Sequence, residues 1–308
     1  MKVAVFGGTG FLGSYLVDEL IRQDHQPALL VRPGSESKIR YREHCTSVSG
    51  DISNTQAIRS TLYGCDAAIY AIGILREAPR RGITFEEMHF QGAKRAINWA
   101  LEEGVKRFIL TSANGVKPDG TAYQATKFKA EQYLKTTRLD WTIFRPAVMY
   151  GDPRGRMEFC SMVYEQIIKP PLPAPLFHTG LLPFAAGTFV IAPINVRDVA
   201  AIYVKSLGMP ETHGKTYALC GPDKLEWRSL IKLLARVGGK YKLAVPVPAF
   251  GVKAVAAVLE RLDLAPVTRD QITMLVDGNS CDSAEVFELF KMIPTVFNEN
   301  SLAYLKNQ

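Results

Sequence analysis

The sequence predicts an α/β fold: a parallel β-sheet covered by helices on both faces, with a second, smaller domain in the C-terminal half. Three observations carry this expectation. Short, fully apolar runs alternate with helically spaced ones as far as Pro146. A glycine cluster, GGTGFLG at 7–13, stands between the first strand and the first helix. After Arg145-Pro146 the alternation breaks at a proline-rich segment and returns only at 193–207.

Lys2–Gly7 reads as a strand, and Phe11–Asp24 as a helix with Leu12, Tyr15, Leu16, Leu20 and Ile21 on one face. Strands follow at Pro27–Arg32 and Thr46–Ser49, a helix at Asn54–Leu62, and a buried strand at Cys65–Ile72. Phe85–Glu103 reads as one long helix stopped by Gly104. Arg107–Thr111 is the next strand, Tyr123–Thr136 the next helix and Trp141–Phe144 the next strand. Beyond the break, helices are expected at Trp227–Val237 and Phe250–Leu262, without strong strands between them. The domains implied are 1–150 with about 194–219, which would bind a nucleotide, and 151–193 with 220–308, a smaller substrate or partner domain woven through the first.

A chain of 308 residues is long enough to bury a sizeable core in one large or two smaller domains. Its net charge of +7 is scattered rather than blocked, which suits a basic surface drawn to anionic cofactors or headgroups. No aromatic-basic signature points to nucleic acid, and the five histidines are too dispersed to pair on a metal, so each reads as a surface or packing residue. The five cysteines, Cys45, Cys65, Cys160, Cys220 and Cys281, are widely spaced and lack a C-x-x-C, which reads as free thiols in a reducing compartment. The stretch 169–193 is apolar, but Pro170, Pro171, Pro173, Pro175, Pro183 and Pro193 interrupt any helix, so it reads as an apolar loop rather than a membrane span. With no signal peptide visible after Met1, a cytoplasmic location is expected, and peripheral association with a membrane surface stays open.

Gly7, Gly10 and Gly13 have the spacing of a pyrophosphate-binding turn. The first would turn the chain out of the strand, the second admit backbone N–H groups to the phosphates, and the third let the helix pack closely. Nineteen residues after Gly13 stands Arg32, where a carboxylate would select NAD. An arginine there pairs with a 2′-phosphate, so NADP(H) is the preferred cofactor expected, with NAD(H) as the other candidate. Asp51 follows the third strand; it suits either the adenine amino group or the cap of the next helix. Tyr123 and Lys127, four residues apart, share a helical face. A nearby ammonium would lower the phenol's pKa toward the range of a general acid/base.

GGTGFLG, GDIS, AIG, YQATK and FRPAVMYG occur here in the order and approximate spacing of the short-chain dehydrogenase/reductase superfamily, and the chain resembles its extended and atypical branches. INVRDVA, YALCGPDKLEWRSLI and VTRDQITMLVDGN make it most similar to the branch of the nucleotide-binding accessory subunit of respiratory complex I and its free-standing bacterial relatives. The resemblance implies a Rossmann-type doubly wound parallel sheet. It implies a pyrophosphate turn of Gly7, Thr9, Gly10, Phe11, Leu12 and Gly13, with Asp51 and Ile52 by the adenine and Ala71, Ile72 and Gly73 by the adenosine ribose. Tyr123, Lys127 and Pro146 would flank the nicotinamide.

One departure bears on catalysis. In Thr111-Ser112-Ala113-Asn114, the position expected to carry a hydroxyl falls on Ala113; either Ser112 points into the sheet or a one-residue shift brings it to the site. Two functions remain in view. One is an oxidoreductase or epimerase-like enzyme that moves hydride to or from an unknown, apolar substrate. The other is a non-catalytic nucleotide-binding subunit or assembly factor of a membrane-associated redox complex.

Overall fold

The computed structural model describes residues 1–180, 182–261 and 268–307, so Leu181, the expected helix end at Leu262, Val267 of the tail motif and Gln308 lie outside the described residues. In chain order the first elements are β1 (Lys2–Phe6), α1 (Phe11–Arg22), β2 (Gln26–Val31), β3 (Thr46–Ser49), α2 (Thr55–Leu62) and β4 (Ala67–Tyr70). Then come α3 (Gly92–Glu102), β5 (Arg107–Thr111), α4 (Ala122–Lys135), β6 (Asp140–Pro146), β7 (Met149–Tyr150), α5 (Phe159–Val163), β8 (Ala174–His178), β9 (Val190–Ile191) and β10 (Ile194–Asn195). The chain continues through α6 (Val196–Ser206), β11 (Lys215–Leu219), β12 (Leu225–Glu226), α7 (Trp227–Val237), β13 (Ala244–Pro248), α8 (Ala249–Arg261), α9 (Arg269–Val276) and α10 (Ala284–Leu289).

Seven parallel strands form one sheet in the order β11-β6-β5-β4-β1-β2-β3. The order reverses between β1 and β4, the topological switch point of an open α/β sheet, and this is the Rossmann-type architecture. Strands β4 and β5 are buried along their whole length, because helices cover both faces and leave no polar side. That is why they read in sequence as continuous apolar runs. The chain divides into two compact units, Met1–Pro146 with Val196–Leu219, and Ala147–Asn195 with Cys220–Gln308.

In the first unit, β11 was not foreseen: KTYAL is too polar to stand out, yet it pairs with the whole outer edge of β6. One buried cation ties this corner together. Arg107, 4% exposed, donates to Asp140 O, Thr142 Oγ1, Ser206 O and Thr212 Oγ1, so it joins β5 and β6 to the end of α6 and the turn beyond it. The expected helix Phe85–Glu103 opens instead with a π-turn, Glu86–Gln91, before α3 begins at Gly92.

In the second unit, the segment expected as a loop carries β8, which pairs with β13 in parallel register from Ala174↔Ala244 to His178↔Pro248. Prolines at 173, 175, 246 and 248 hid both strands, since proline is confined to edge positions. Trp227 lies in that unit's core and donates its indole N–H to Pro175 O. The free-thiol expectation is corrected here. Cys220 and Cys281 are joined by a disulfide with Cα atoms 5.7 Å apart, while Cys45, Cys65 and Cys160 are free. Sixty-one residues separate the pair in sequence, so only the fold brings them together.

Among the glycines of the first unit, the closest approach lies under α1. Gly7 has φ +95°, and a Cβ on Gly13 would lie 2.0 Å from Gly7 O. A Gly13→Ala protein should therefore lose about 3 kcal/mol or more of stability, because backbone must move to admit the methyl group. Urea unfolding measures this; a loss below about 1 kcal/mol would mean that α1 can lift off the turn at little cost.

Candidate functional site

The carboxyl ends of the first unit's parallel strands collect the residues singled out in sequence. Gly7 follows β1, Arg32 follows β2, Asp51 lies two residues past β3, Ala71 to Gly73 follow β4, Ser112 follows β5, and Pro146 ends β6. Ligands of open α/β sheets bind along this edge, outside the switch point.

At β1 the chain turns through Gly7, and Gly10 N–H bonds back to Gly7 O at 2.9 Å. Gly10 caps α1 without a side chain, and no acidic residue stands in the first turn. The N–H groups opening the helix thus face outward with a positive dipole and no competing carboxylate, which suits a pyrophosphate. A Cβ on Gly7 would meet Ala71 C and O and Ile72 N, each at 3.0 Å, so the glycine turn and the loop after β4 touch. Thr9 and Phe11 are half-buried beside the turn, and Leu12 is buried beneath it.

Arg32 is exposed, and among the described residues its guanidinium enters no hydrogen bond or ion pair. Its charge helps to hold the Asp51 carboxyl below its usual range, after the larger effect of the hydrogen bond from Ser53 Oγ. Asp51 does not cap α2, as one sequence reading allowed. Asn54 does, accepting from Ala57 N–H at 3.0 Å, while Asp51 accepts from the N–H and Oγ of Ser53. Ile52 is 4% exposed, and its side chain belongs to the hydrophobic core.

A capping box of Thr121 and Gln124 fixes the start of α4, and Gln124 Nε2 also donates to Gly115 O at 2.9 Å. This sets Tyr123 and Lys127 against the ends of β4 and β5. Lys127 is 5% exposed; its Nζ donates to Thr111 O at 3.1 Å and lies 5.6 Å from the centre of the Tyr123 ring. A Cβ on Gly73 would stand 3.8 Å from the same Nζ. Burial pulls the Lys127 ammonium down to about 8, against the opposing charge of Glu131 one turn on. Glu131 is itself held by Arg145, with Nε to Oε1 at 2.8 Å.

Two expectations change here. Tyr123 titrates above its ordinary value rather than below it, because burial penalises the phenolate. Ser112 is 3% exposed, its N–H continues the ladder to Phe144 O at 2.8 Å, and its Oγ has no hydrogen-bond partner among the described residues. It lies inside the protein, and Ala113 is the half-buried residue beside it.

His89 was read as a surface or packing residue, and it stands beside this pair. Its ring lies edge-on to Tyr123 at 5.0 Å and stacks on Phe85 at 5.3 Å. Ile74 N–H donates to Nε2 at 3.1 Å, so Nδ1 carries the ring proton toward Thr126 Oγ1 at 3.3 Å. Burial, and then the Lys127 charge, pull the imidazole down to about 2, so it is neutral near pH 7. No local pattern announces His89; the π-turn at 86–91 brings it here. Among the described residues, no cluster of His, Cys, Asp or Glu is placed to hold a metal ion.

Strand order, glycine turn and the α4 pair together define a Rossmann-type NAD(P)-binding protein of the extended short-chain dehydrogenase/reductase superfamily. The chain belongs to the NAD(P)H-binding family, whose model matches residues 7–163. It is 27% identical over 268 residues to the mitochondrial NADH-ubiquinone oxidoreductase 40 kDa subunit of Neurospora crassa; the match covers 83% of this chain but only 65% of that protein's length. It is 24% identical to a ceramide reductase of Caulobacter vibrioides, over 84% of this chain and 77% of that protein. UDP-glucuronic acid 4-epimerase from Bacillus cereus, solved with NAD, shares the fold at a TM-score of 0.74, with 17% identity over 100% of this chain and 96% of the other.

The buried lysine gives this site a pH signature. The folded pKa of about 8 lies below the ordinary 10.5, so between these values the unfolded chain holds a proton that the folded one has lost. Stability should therefore rise with pH across that window, by about 3 kcal/mol at most. Lys127→Met should abolish the rise. Unfolding titrations at closely spaced pH values check it; identical slopes for the two proteins would show that Lys127 keeps its proton in the folded state.

Proposed function

We propose that this chain is an NADP(H)-binding protein whose Tyr123–Lys127 pair serves hydride transfer to or from an apolar substrate. The observation that supports it best is the assembly, along one sheet edge, of an uncapped glycine turn, an exposed Arg32 whose guanidinium no described residue binds, and a buried lysine with unspent donors. An ammonium has three donors, and only Thr111 O accepts from Lys127 among the described residues. Ribose hydroxyls would take the others. Arg32 would pair with the 2′-phosphate, with Asp51 beside the adenine. A bound nicotinamide supplies or accepts the hydride. Tyr123 would hold or deliver the proton at the substrate oxygen. Its raised pKa keeps it protonated in the nucleotide-free protein, so it starts as an acid, which suits carbonyl reduction. The name of the Caulobacter relative, ceramide reductase, favours a reduction and a lipid-like substrate.

A second reading has its own observation. With Ala113 where a hydroxyl is expected and Ser112 Oγ buried, no serine stands ready to orient a substrate oxygen. That favours a non-catalytic nucleotide-binding subunit or assembly factor of a membrane-associated redox complex, as does the relative that is a 40 kDa subunit.

Cofactor choice is tested by titrating NADPH and NADH into wild type and Arg32→Asp. Wild type should bind NADPH more tightly, and the substitution should cost about 1.5–3 kcal/mol toward NADPH, roughly 10- to 150-fold, while sparing NADH. Equal wild-type affinities for the two would remove Arg32 from the reading.

Activity is tested by a screen for NADPH oxidation and NADP⁺ reduction against carbonyl, quinone and sugar-nucleotide panels. Tyr123→Phe should lower any turnover found by about 10²–10⁴-fold with nucleotide affinity kept. Tight nucleotide binding without turnover would favour the subunit reading.

A further inference from the structure

The second unit carries an exposed apolar face that the nucleotide site does not use. Leu172, Leu182, Phe184, Tyr241, Leu243 and Phe250 are all exposed, Phe184 by 88% and Tyr241 by 94%. They come from separate stretches of sequence that the fold gathers around one two-stranded sheet. Ala174 N–H bonds to Leu243 O at 2.8 Å, which sets Leu172 beside the approach to β13. Tyr241 and Leu243 are exposed in the segment that leads into β13, and Val245 is exposed within it. The short helical turn Pro183–Ala185, bearing Phe184, packs against both β8 and β13, and Phe250 lies in the first turn of α8, which follows β13.

Lysines outnumber carboxylates in the segments that bear this face. Residues 166–189 and 237–259 contain Lys169, Lys240, Lys242 and Lys253 and no Asp or Glu. Lys169 is paired with Glu165 at 2.9 Å. Lys242 donates to the carbonyls of Ile168 and Pro170, and Lys240 to that of Lys169, so neutral acceptors anchor their ammoniums and leave the charge uncompensated. Large exposed apolar patches mark protein or membrane contacts. Aromatic and leucine side chains flanked by lysines in excess of carboxylates match the interface of an anionic bilayer: rings and aliphatics at the acyl boundary, ammoniums among the phosphates. Among the described residues no helix is long and apolar enough to cross a membrane, so any attachment made by this face is to a surface.

We propose that this face seats the protein on anionic membranes, with Phe184, Tyr241, Leu243 and Phe250 in the headgroup layer and Lys240, Lys242 and Lys253 on lipid phosphates. The inference rests on the second unit alone and is independent of nucleotide binding.

Flotation of the full chain with phosphatidylcholine vesicles, with and without one-quarter phosphatidylglycerol, tests it at low and high salt. Binding should require the anionic lipid and weaken as salt screens the lysines. Each lysine near such a surface is worth about fivefold in partitioning, so Lys240→Gln with Lys253→Gln should weaken binding by about 25-fold. Phe184→Ser with Phe250→Ser should abolish it at either salt. Phe184→Trp should be quenched by acyl-brominated lipid, whereas Tyr63→Trp, exposed on the first unit, should not. Unchanged melting and nucleotide affinity establish that each variant is folded. Absence of flotation, flotation indifferent to all four substitutions, or a concentration-dependent dimer lost in Phe184→Ser without vesicle binding would each overturn the proposal.

Discussion

Everything at the nucleotide end depends on how closely α1 can lie against the turn that leaves β1. Gly7 O occupies the space that a side chain at Gly13 would need, and the loop after β4 closes on Gly7 from the other side. Three backbone segments therefore meet with no side chain between them. That contact aims the first N–H groups of α1 past the sheet edge, where a diphosphate can reach them. It also sets the loop after β4, the neighbour of β1 in the sheet, directly against the glycine turn. A larger residue at either glycine would separate what the strand order brings together.

The second governing feature is a cation kept with few partners. Lys127 is buried against one carbonyl, with a neutral imidazole and a phenol ring nearby, and Glu131, the carboxylate whose charge acts on it, is already engaged by Arg145. Each of these choices leaves the ammonium under-satisfied, which is costly in the free protein and favours a ligand rich in hydroxyl acceptors. His89 contributes by staying neutral, since a second charge there would expel the first.

Much of this was legible in the sequence. The alternation of apolar runs announced the parallel sheet because strands buried on both faces, such as β4 and β5, have no polar side to interrupt them. The glycine turn, Arg32 and the Tyr123–Lys127 spacing were legible because they are local patterns. What was hidden depends on distance or depth. The Cys220–Cys281 bond closes 61 residues, β11 pairs only because β6 offers a free edge, and β8 and β13 carry prolines that ordinarily argue against strands. Spacing put Tyr123 and Lys127 on one face, but burial reversed the expected direction of the tyrosine's pKa.

Arg107 also bears on how the chain is made. Two of its acceptors, Ser206 O and Thr212 Oγ1, are translated about a hundred residues after it, beyond the whole excursion 147–195. Until β11 emerges, the outer edge of β6 has no strand to pair with and the Arg107 guanidinium lacks half its acceptors. The nucleotide-binding unit therefore cannot complete itself on the ribosome from its own contiguous sequence. From residue 146 to residue 219, about a quarter of its synthesis, the nascent protein carries an open sheet edge, and from residue 107 to residue 212 a partly solvated cation, an interval in which chaperones have something to hold.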